Sequence, residues 1–386
     1  MLGNGVFMEE SPLILDGIRV VEFAEGIPGP VCGMQLADLG ADVVKVEPPQ
    51  GDRARAWFEG DAAPVFAHLN RGKRSVCLDV ATPAGRDGLL DLVGGADVVV
   101  VHADPETAKS AGIDWRAEQA RRPGLVVCEL TDLGPTGELA GMAGSELVHQ
   151  ALSGFMRYAG SRDAPCRVGY EIASVGAGMH AVQAVLAALF RRGESGEGDH
   201  ATISVLGQVL SLKSILLAAQ TNPDFWAGFH LNGPHWEPDI GWETKDGQVT
   251  FDFRHGMRDA WVEFCRIVGL EDLPDDPDYD DWRSTIYIGD RKATHGDVYR
   301  PSFARMTSAE ASRIINDLDG ISVKFHDYAE LLAHPQLEHL DALVEVEGHG
   351  LQVGTPFRFD GGRTTQSVLT APPDPDAAGR SREDGQ

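Results

Sequence analysis

The chain has 386 residues, with 33 Lys+Arg against 59 Asp+Glu and a formal charge of −26 at pH 7. Hydrophobic residues at 42% and charged residues at 24% give the balance of a folded globular protein and exclude a disordered one; the length suits two or three domains. Acidity on this scale, with no long basic stretch, excludes a protein that holds nucleic acid by neutralising phosphates.

In chain order, Met1–Pro12 lacks a basic region followed by an apolar run, so no secretory leader is read. Ile18–Phe23 reads as a strand, followed by the loop Glu25-Gly26-Ile27-Pro28-Gly29-Pro30 and a helix near Val31–Leu39 that stops at Gly40. Val43–Val46, Val76–Val80, Val98–Val101 and Leu125–Leu130 are further strands with amphipathic helices between them. That alternation predicts an α/β fold with a parallel sheet and right-handed crossovers. Beyond residue 145 the pattern turns helical. Val182, Val185, Leu186, Leu189 and Phe190 follow the stripe of a buried helix face, and Ala201–Val205 alternates like a strand. Residues 223–325 are aromatic-rich and contain the hairpin signal Asp246-Gly247. They are read as a smaller α+β domain, with 12–222 and 326–376 forming a large discontinuous one and 377–386 a flexible tail.

The five cysteines (Cys32, Cys77, Cys128, Cys166 and Cys265) are odd in number, widely spaced and never in a Cys-x-x-Cys pair. That usage fits reduced thiols in a cytoplasmic protein, and no run of about 18 apolar residues is read as a membrane span. His230 with His235, and His334 with His339, are five apart, which is not the spacing of a helical metal site. No metal is expected.

Several motifs then carry a specific likeness. They are Leu15-Asp16-Gly17-Ile18-Arg19-Val20-Val21-Glu22-Phe23, Gly29-Pro30, and Leu36-Ala37-Asp38-Leu39-Gly40-Ala41-Asp42-Val43-Val44-Lys45-Val46-Glu47-Pro48. Asn70-Arg71-Gly72-Lys73-Arg74-Ser75, Gly178-Met179-His180 and Gly241-Trp242-Glu243-Thr244 continue the series. Together they resemble the family III CoA-transferases (the CaiB/BaiF group), which include formyl-CoA and carnitine CoA-transferases and α-methylacyl-CoA racemase. The resemblance implies a large Rossmann-like domain built from both chain ends, a smaller domain from the middle, and an interlaced homodimer. It also implies coenzyme A as a substrate moiety, held near Gly26, Ile27, Pro28, Leu69, Asn70, Lys73 and Arg74.

The departures from that pattern bear on the chemistry. In the family's transferases an aspartate just before the Gly-Met-His stretch accepts the acyl group as a mixed anhydride, a task suited to an ionised carboxylate. Here Ser174 stands at that position, and the racemase's His/Asp base pair falls on Ser145 and Ser174. A serine hydroxyl is a weak nucleophile without an adjacent base. Ser174 therefore reads as a helix cap, a substrate hydrogen-bonding group or an activated nucleophile. Glu171 is the nearest alternative carboxylate, although strand periodicity would point it away from Ser174. The family's Asn-Phe-Arg-Pro-Gly is replaced by His102-Ala103-Asp104-Pro105-Glu106, which removes a cation and adds acids. His235, with Glu237 beside it, is a source of general acid/base groups. His149 sits on a predicted helix facing the cleft, and Ser145, His149 and Glu237 are candidate substrate contacts.

Three readings follow from these residues. The first is a divergent enzyme acting on an acyl-CoA or related activated acid by non-covalent isomerase, lyase or transferase chemistry, with Ser174, Glu171 and His235 as candidate catalytic groups. The second is a non-catalytic subunit that pairs with an active paralogue. The third is an ordinary CoA-transferase with Glu171 as the acyl-accepting acid, and a variant of the first is an enzyme of this fold that no longer uses CoA.

Overall fold

The computed structural model describes residues 13–57, 64–156, 165–215, 241–254, 256–286, 295–340, 342–346 and 350–356. The chain divides into two compact units: Met1–Ser153 with Val168–Leu212 and Pro335–Gln386, and Gly154–Arg167 with Lys213–His334. The 377–386 segment, His235 and Glu237 lie outside the described residues.

The first unit is organised by a six-stranded sheet. Its strands are β1 (Arg19–Ala24), β2 (Asp42–Glu47), β3 (Lys73–Cys77), β4 (Val98–His102), β5 (Val126–Thr131) and β6 (His200–Ser204), in spatial order β3-β2-β1-β4-β5-β6. Every neighbouring pair is parallel. A parallel sheet is covered on both faces, which is why Val98-Val99-Val100-Val101 is a continuous apolar run rather than an alternating one. The helices are α1 (Pro28–Asp38), α2 (Pro64–Leu69), α3 (Pro83–Gly94), α4 (Pro105–Ala111), α5 (Trp115–Arg121), α6 (Glu146–Leu152), α7 (Ile172–Ser195) and α8 (Val205–Leu212). Strand order reverses between β1 and β4. In doubly wound sheets that switch point, at the carboxyl ends of the strands, is where ligands bind.

Two expectations are corrected. β3 begins three residues before Val76, because its opening residue is the buried Lys73, held by an ion pair rather than by apolar contact. Residues 172–181 are the first turns of α7 rather than strand, so a period-2 argument for Glu171 and Ser174 does not apply. Their small side chains let α7 press onto α1. A Cβ on Gly178 would come within 2.5 Å of both the Pro28 carbonyl oxygen and Val31 Cβ. By length and composition α7 could cross a membrane, but Ala173, Ala177, Ala181, Val182 and Val185 are buried in this unit.

The second unit holds an antiparallel sheet of β7 (Trp242–Thr244), β8 (Gly247–Asp252) and β9 (Ile321–Lys324). Thr244 pairs with Gly247, so Lys245-Asp246 forms the expected tight hairpin. Its core is aromatic: Trp242, Phe251, Trp261, Phe264, Tyr299 and Phe303 are all buried.

Candidate active site

The carboxyl ends of β1, β4 and β5 meet at the switch point. After β1 the chain turns at Gly26, whose φ of +78° suits glycine and whose N–H donates to Asp52 Oδ1 at 3.2 Å. Pro28 then opens α1. β4 ends on His102, which is 7% exposed, and Asp132 follows β5 directly.

Helix α6 is inside out. Its polar residues Glu146, His149 and Gln150 share one face at i, i+3, i+4 spacing and are buried, whereas Leu147, Val148 and Leu152 are exposed. Ser145 caps the helix by accepting the Val148 N–H at 3.4 Å. The buried face presents Glu146 to the start of α7. One carboxylate oxygen accepts the N–H and the hydroxyl of Ser174 at 2.9 and 2.7 Å. The other accepts the Ala173 N–H at 2.9 Å and the Gln150 amide at 2.8 Å. An anion at a helix N-terminus satisfies orphan N–H donors and complements the dipole. Burial alone would raise the Glu146 pKa. The donors from Gln150, Ala173 and Ser174 outweigh it and hold the carboxyl below the usual range.

One helical turn beyond Glu146, His149 is 2% exposed. Neither of its ring nitrogens has a hydrogen-bond partner, and Nε2 lies 3.7 Å from Asp132 Oδ1. His102 Nε2 approaches the same oxygen to 3.5 Å, and Asp132 Oδ2 accepts the Gly144 N–H at 2.7 Å. Burial would raise the Asp132 pKa, but the His102 hydrogen bond, the Gly144 N–H and the two imidazoles bring it down to about 2. Burial lowers His149 despite the nearby Asp132 and Glu146, so its imidazole is neutral at pH 7. Near the carboxyl ends of β4 and β5, Asp132 lies beside His102 and His149, and one turn along α6 from His149, Glu146 holds Ser174.

A family model described as CoA-transferase family III matches residues 15–377. The chain belongs to CoA-transferase family III. It is similar to succinate–glutarate CoA-transferase of Agrobacterium fabrum (strain C58), 35% identical over 283 residues that cover 69% of each chain. It is also similar to formyl-CoA:oxalate CoA-transferase of Afipia carboxidovorans, 33% identical over 377 residues covering 89% of this chain and 88% of that one. Among solved structures, the Mycobacterium tuberculosis protein Rv3272 superposes with a TM-score of 0.80 at 26% identity, covering 95% of this chain and 99% of that one.

Against this family III frame, the residues singled out from sequence fall in different places. Ser174 lies inside the first turn of α7 and donates to Glu146, so it is not the helix cap; the N-cap is Glu171, whose carboxylate makes no capping bond. Ile27 is half-buried at the N-cap of α1, and Pro28 is buried. Leu69 and Asn70 are buried, with the Asn70 amide donating to the Phe66 carbonyl. Lys73, expected among the CoA contacts, has a fully buried side chain. Its three donors meet Pro30 O and Asn70 Oδ1 at 2.9 Å and Glu22 Oε2 at 2.7 Å, so none points to solvent. Arg74 is exposed but bound bidentate to Asp42. Among the described residues no group of three potential metal ligands occurs.

Sequence reading missed Glu146, Asp132 and Arg53. Glu146 was detectable as a carboxylate sharing a helix face with His149 and Gln150 while the apolar residues fell elsewhere. Arg53 is exposed, and a Cβ on Gly26 would lie 2.6 Å from its guanidinium, so it stands directly over the β1–α1 loop. Nothing in the spacing of Gly51-Asp52-Arg53 signals that approach.

Proposed function

We propose that this family III member acts on an acyl-CoA, or a closely related activated acid, without placing the acyl group on an aspartate. The Ser174–Glu146 pair carries this reading. A hydroxyl occupies the position where the family resemblance puts the acyl-accepting acid, and the carboxylate within reach already accepts four hydrogen bonds. Oxygens so engaged, on a carboxyl with a depressed pKa, are poor nucleophiles and too weakly basic to activate Ser174.

That leaves non-covalent chemistry on the thioester: isomerisation, elimination, or direct attack by a second substrate. In each case the chain binds, orients and moves a proton. His149 suits the last task, since it is buried, neutral at pH 7 and placed one turn from Glu146. Arg53 supports CoA as the handle. It supplies at the β1–α1 loop a cation that Lys73 cannot; at nearby Asp104, burial would raise the carboxyl's pKa, but the Thr107 hydroxyl and N–H, the Glu106 N–H and, least, the Arg53 charge lower it. A guanidinium bound to phosphate forms charge-assisted pairs worth about 1.5–3 kcal/mol each. His235 and Glu237 stay in the proposal as acid/base and substrate groups from the 223–325 segment.

A cytoplasmic homodimer completes the reading. Val175, Met179 and Phe190 on α7 and Leu147, Val148 and Leu152 on α6 are exposed together in one unit, a density of apolar side chains that marks an interaction surface.

Incubation with succinyl-CoA and with butyryl-CoA, then hydroxylamine and peptide mass analysis, tests the chemistry. The expected result is no hydroxamate on Glu171, Glu146 or any aspartate. A trapped acyl adduct on a carboxylate would return the chain to ordinary anhydride transfer.

A further inference from the structure

Two buried imidazoles converge on one carboxylate oxygen. His102 closes β4, Asp132 follows β5 and His149 lies on the buried face of α6; the two Nε2 atoms stand 3.5 and 3.7 Å from Asp132 Oδ1. The other Asp132 oxygen is committed, accepting the Gly144 N–H at 2.7 Å. Gly144 is what lets the α6 ring come this close: a Cβ there would lie 2.3 Å from His149 Nε2 and 2.8 Å from Asp132 Cβ. An ionised carboxylate oxygen only accepts hydrogen bonds, and it has lone pairs for both rings. A neutral imidazole that faces such an oxygen through Nε2 therefore carries its single proton on Nε2, since two lone pairs meeting there repel. Nδ1 of His149 is then the basic atom. It is buried, and no group among the described residues donates to it. Native interiors leave few polar atoms unpaired, and each exception asks for a reason, a catalytic role among them.

We propose that Asp132 is the positioning residue of the site: it holds His149 as the Nε2–H tautomer, so that Nδ1 is the atom that takes the proton from the substrate. The inference rests on the acyl-CoA reading above and adds to it the atom that moves the proton and the group that orients that atom. In the step, a C–H or O–H bond of the substrate breaks, its electron pair stays on the substrate, and the proton joins the Nδ1 lone pair. The imidazolium so formed keeps its Nε2–H against Asp132, whose negative charge stabilises it. Asp132 itself stays ionised, because its pKa of about 2 is far below that of an imidazole. The charged and titratable groups around His149 are Asp132, Glu146 and His102. Burial, the largest influence, and the His102 ring oppose the imidazolium, whereas Asp132 and Glu146 favour it. His102 shares Oδ1 but belongs to β4. His149 is one turn from Glu146, which holds Ser174, and that placement selects it as the base.

Long-range proton–nitrogen NMR of the full chain, labelled at its histidine nitrogens and assigned with His149→Gln, tests the inference. At pH 7 His149 is expected as a single neutral tautomer with its proton on Nε2. Asp132→Asn, whose amide oxygen can keep the Gly144 N–H while its NH2 faces the rings, should move the His149 proton toward Nδ1 and lower the ring's titration midpoint. Gly144→Ala, which removes no ionisable group, should give a mixture of tautomers by pushing the ring off Asp132. Adding butyryl-CoA or succinyl-CoA to the wild type should shift the Nδ1 resonance. A wild-type His149 protonated on Nδ1, or a tautomer that neither substitution changes, overturns the Asp132 assignment and leaves the acyl-CoA reading standing. The wild-type spectrum decides by itself if a variant fails to fold. If neither thioester moves a histidine resonance, the acyl-CoA reading falls and takes the proton-accepting role of Nδ1 with it.

Discussion

At the residue scale, Asp132 concentrates several roles in one carboxylate. It anchors the loop after β5 through the Gly144 N–H and stands between two buried histidines, His102 and His149. Its pKa of about 2 lies below the 3.8 of an unperturbed aspartate, so the native state holds its charge more firmly than the unfolded state does. A depressed carboxylate contributes stability that is present above its unfolded pKa and is lost as pH falls from about 4 through 2. The contribution is about 2 kcal/mol. Asp132→Asn should therefore lower stability by about that amount at pH 7 and by almost nothing near pH 2. Denaturant unfolding of both proteins across this range reads the difference, and a pH-independent gap would contradict the assignment.

The element scale is governed by close approach and by buried charge. α7 meets α1 at Gly178, where any side chain would strike Pro28 and Val31. Gly178→Ala would gain up to about 1 kcal/mol of intrinsic helix propensity. Overpacking at this contact costs about 1–3 kcal/mol, so a lower melting temperature is expected, and a rise would show that the helices part easily. Across β1 and β2, Glu22 and Lys45 are register partners, and Lys45 Nζ reaches Glu22 Oε1 at 3.0 Å, Asp52 Oδ2 at 2.8 Å and the Ala24 carbonyl at 2.8 Å. All three charged side chains are fully buried. Removing one partner of such a set leaves uncompensated charge in the interior. Lys45, part of a motif in the sequence, and Lys73, expected there among the CoA contacts, are thus structural cations that fix β2 and β3 beneath the Gly26–Pro28 turn.

For the whole molecule, the inverted helix α6 joins two functions. Its polar face builds the site and its apolar face, with that of α7, looks outward. Sedimentation of the full chain should give a species of twice the 41.5 kDa chain mass. Phe190→Asp combined with Met179→Asp, at positions 75% and 45% exposed, should shift it toward the monomer. A monomeric wild type at micromolar concentration would leave that apolar face unexplained by self-association.

The parallel α/β architecture was legible in the chain because its signals are local: apolar runs of strand length, glycine and proline punctuation, and helical stripes between them. The family likeness was legible for the same reason, in short motifs such as Gly178-Met179-His180, on which the proposal that Ser174 stands at the acyl-accepting position depends. Tertiary structure alone decided what surrounds that serine. Glu146 lies 28 residues away in the chain, and Asp132, His102 and His149 come from three different elements. Burial decided the charges too: a lysine's spacing does not tell whether its ammonium meets water, as Arg74 does not lose it and Lys73 does. Hydrophobic periodicity encodes which face an element turns inward, but side chains meet and titrate according to distances set only when those faces pack.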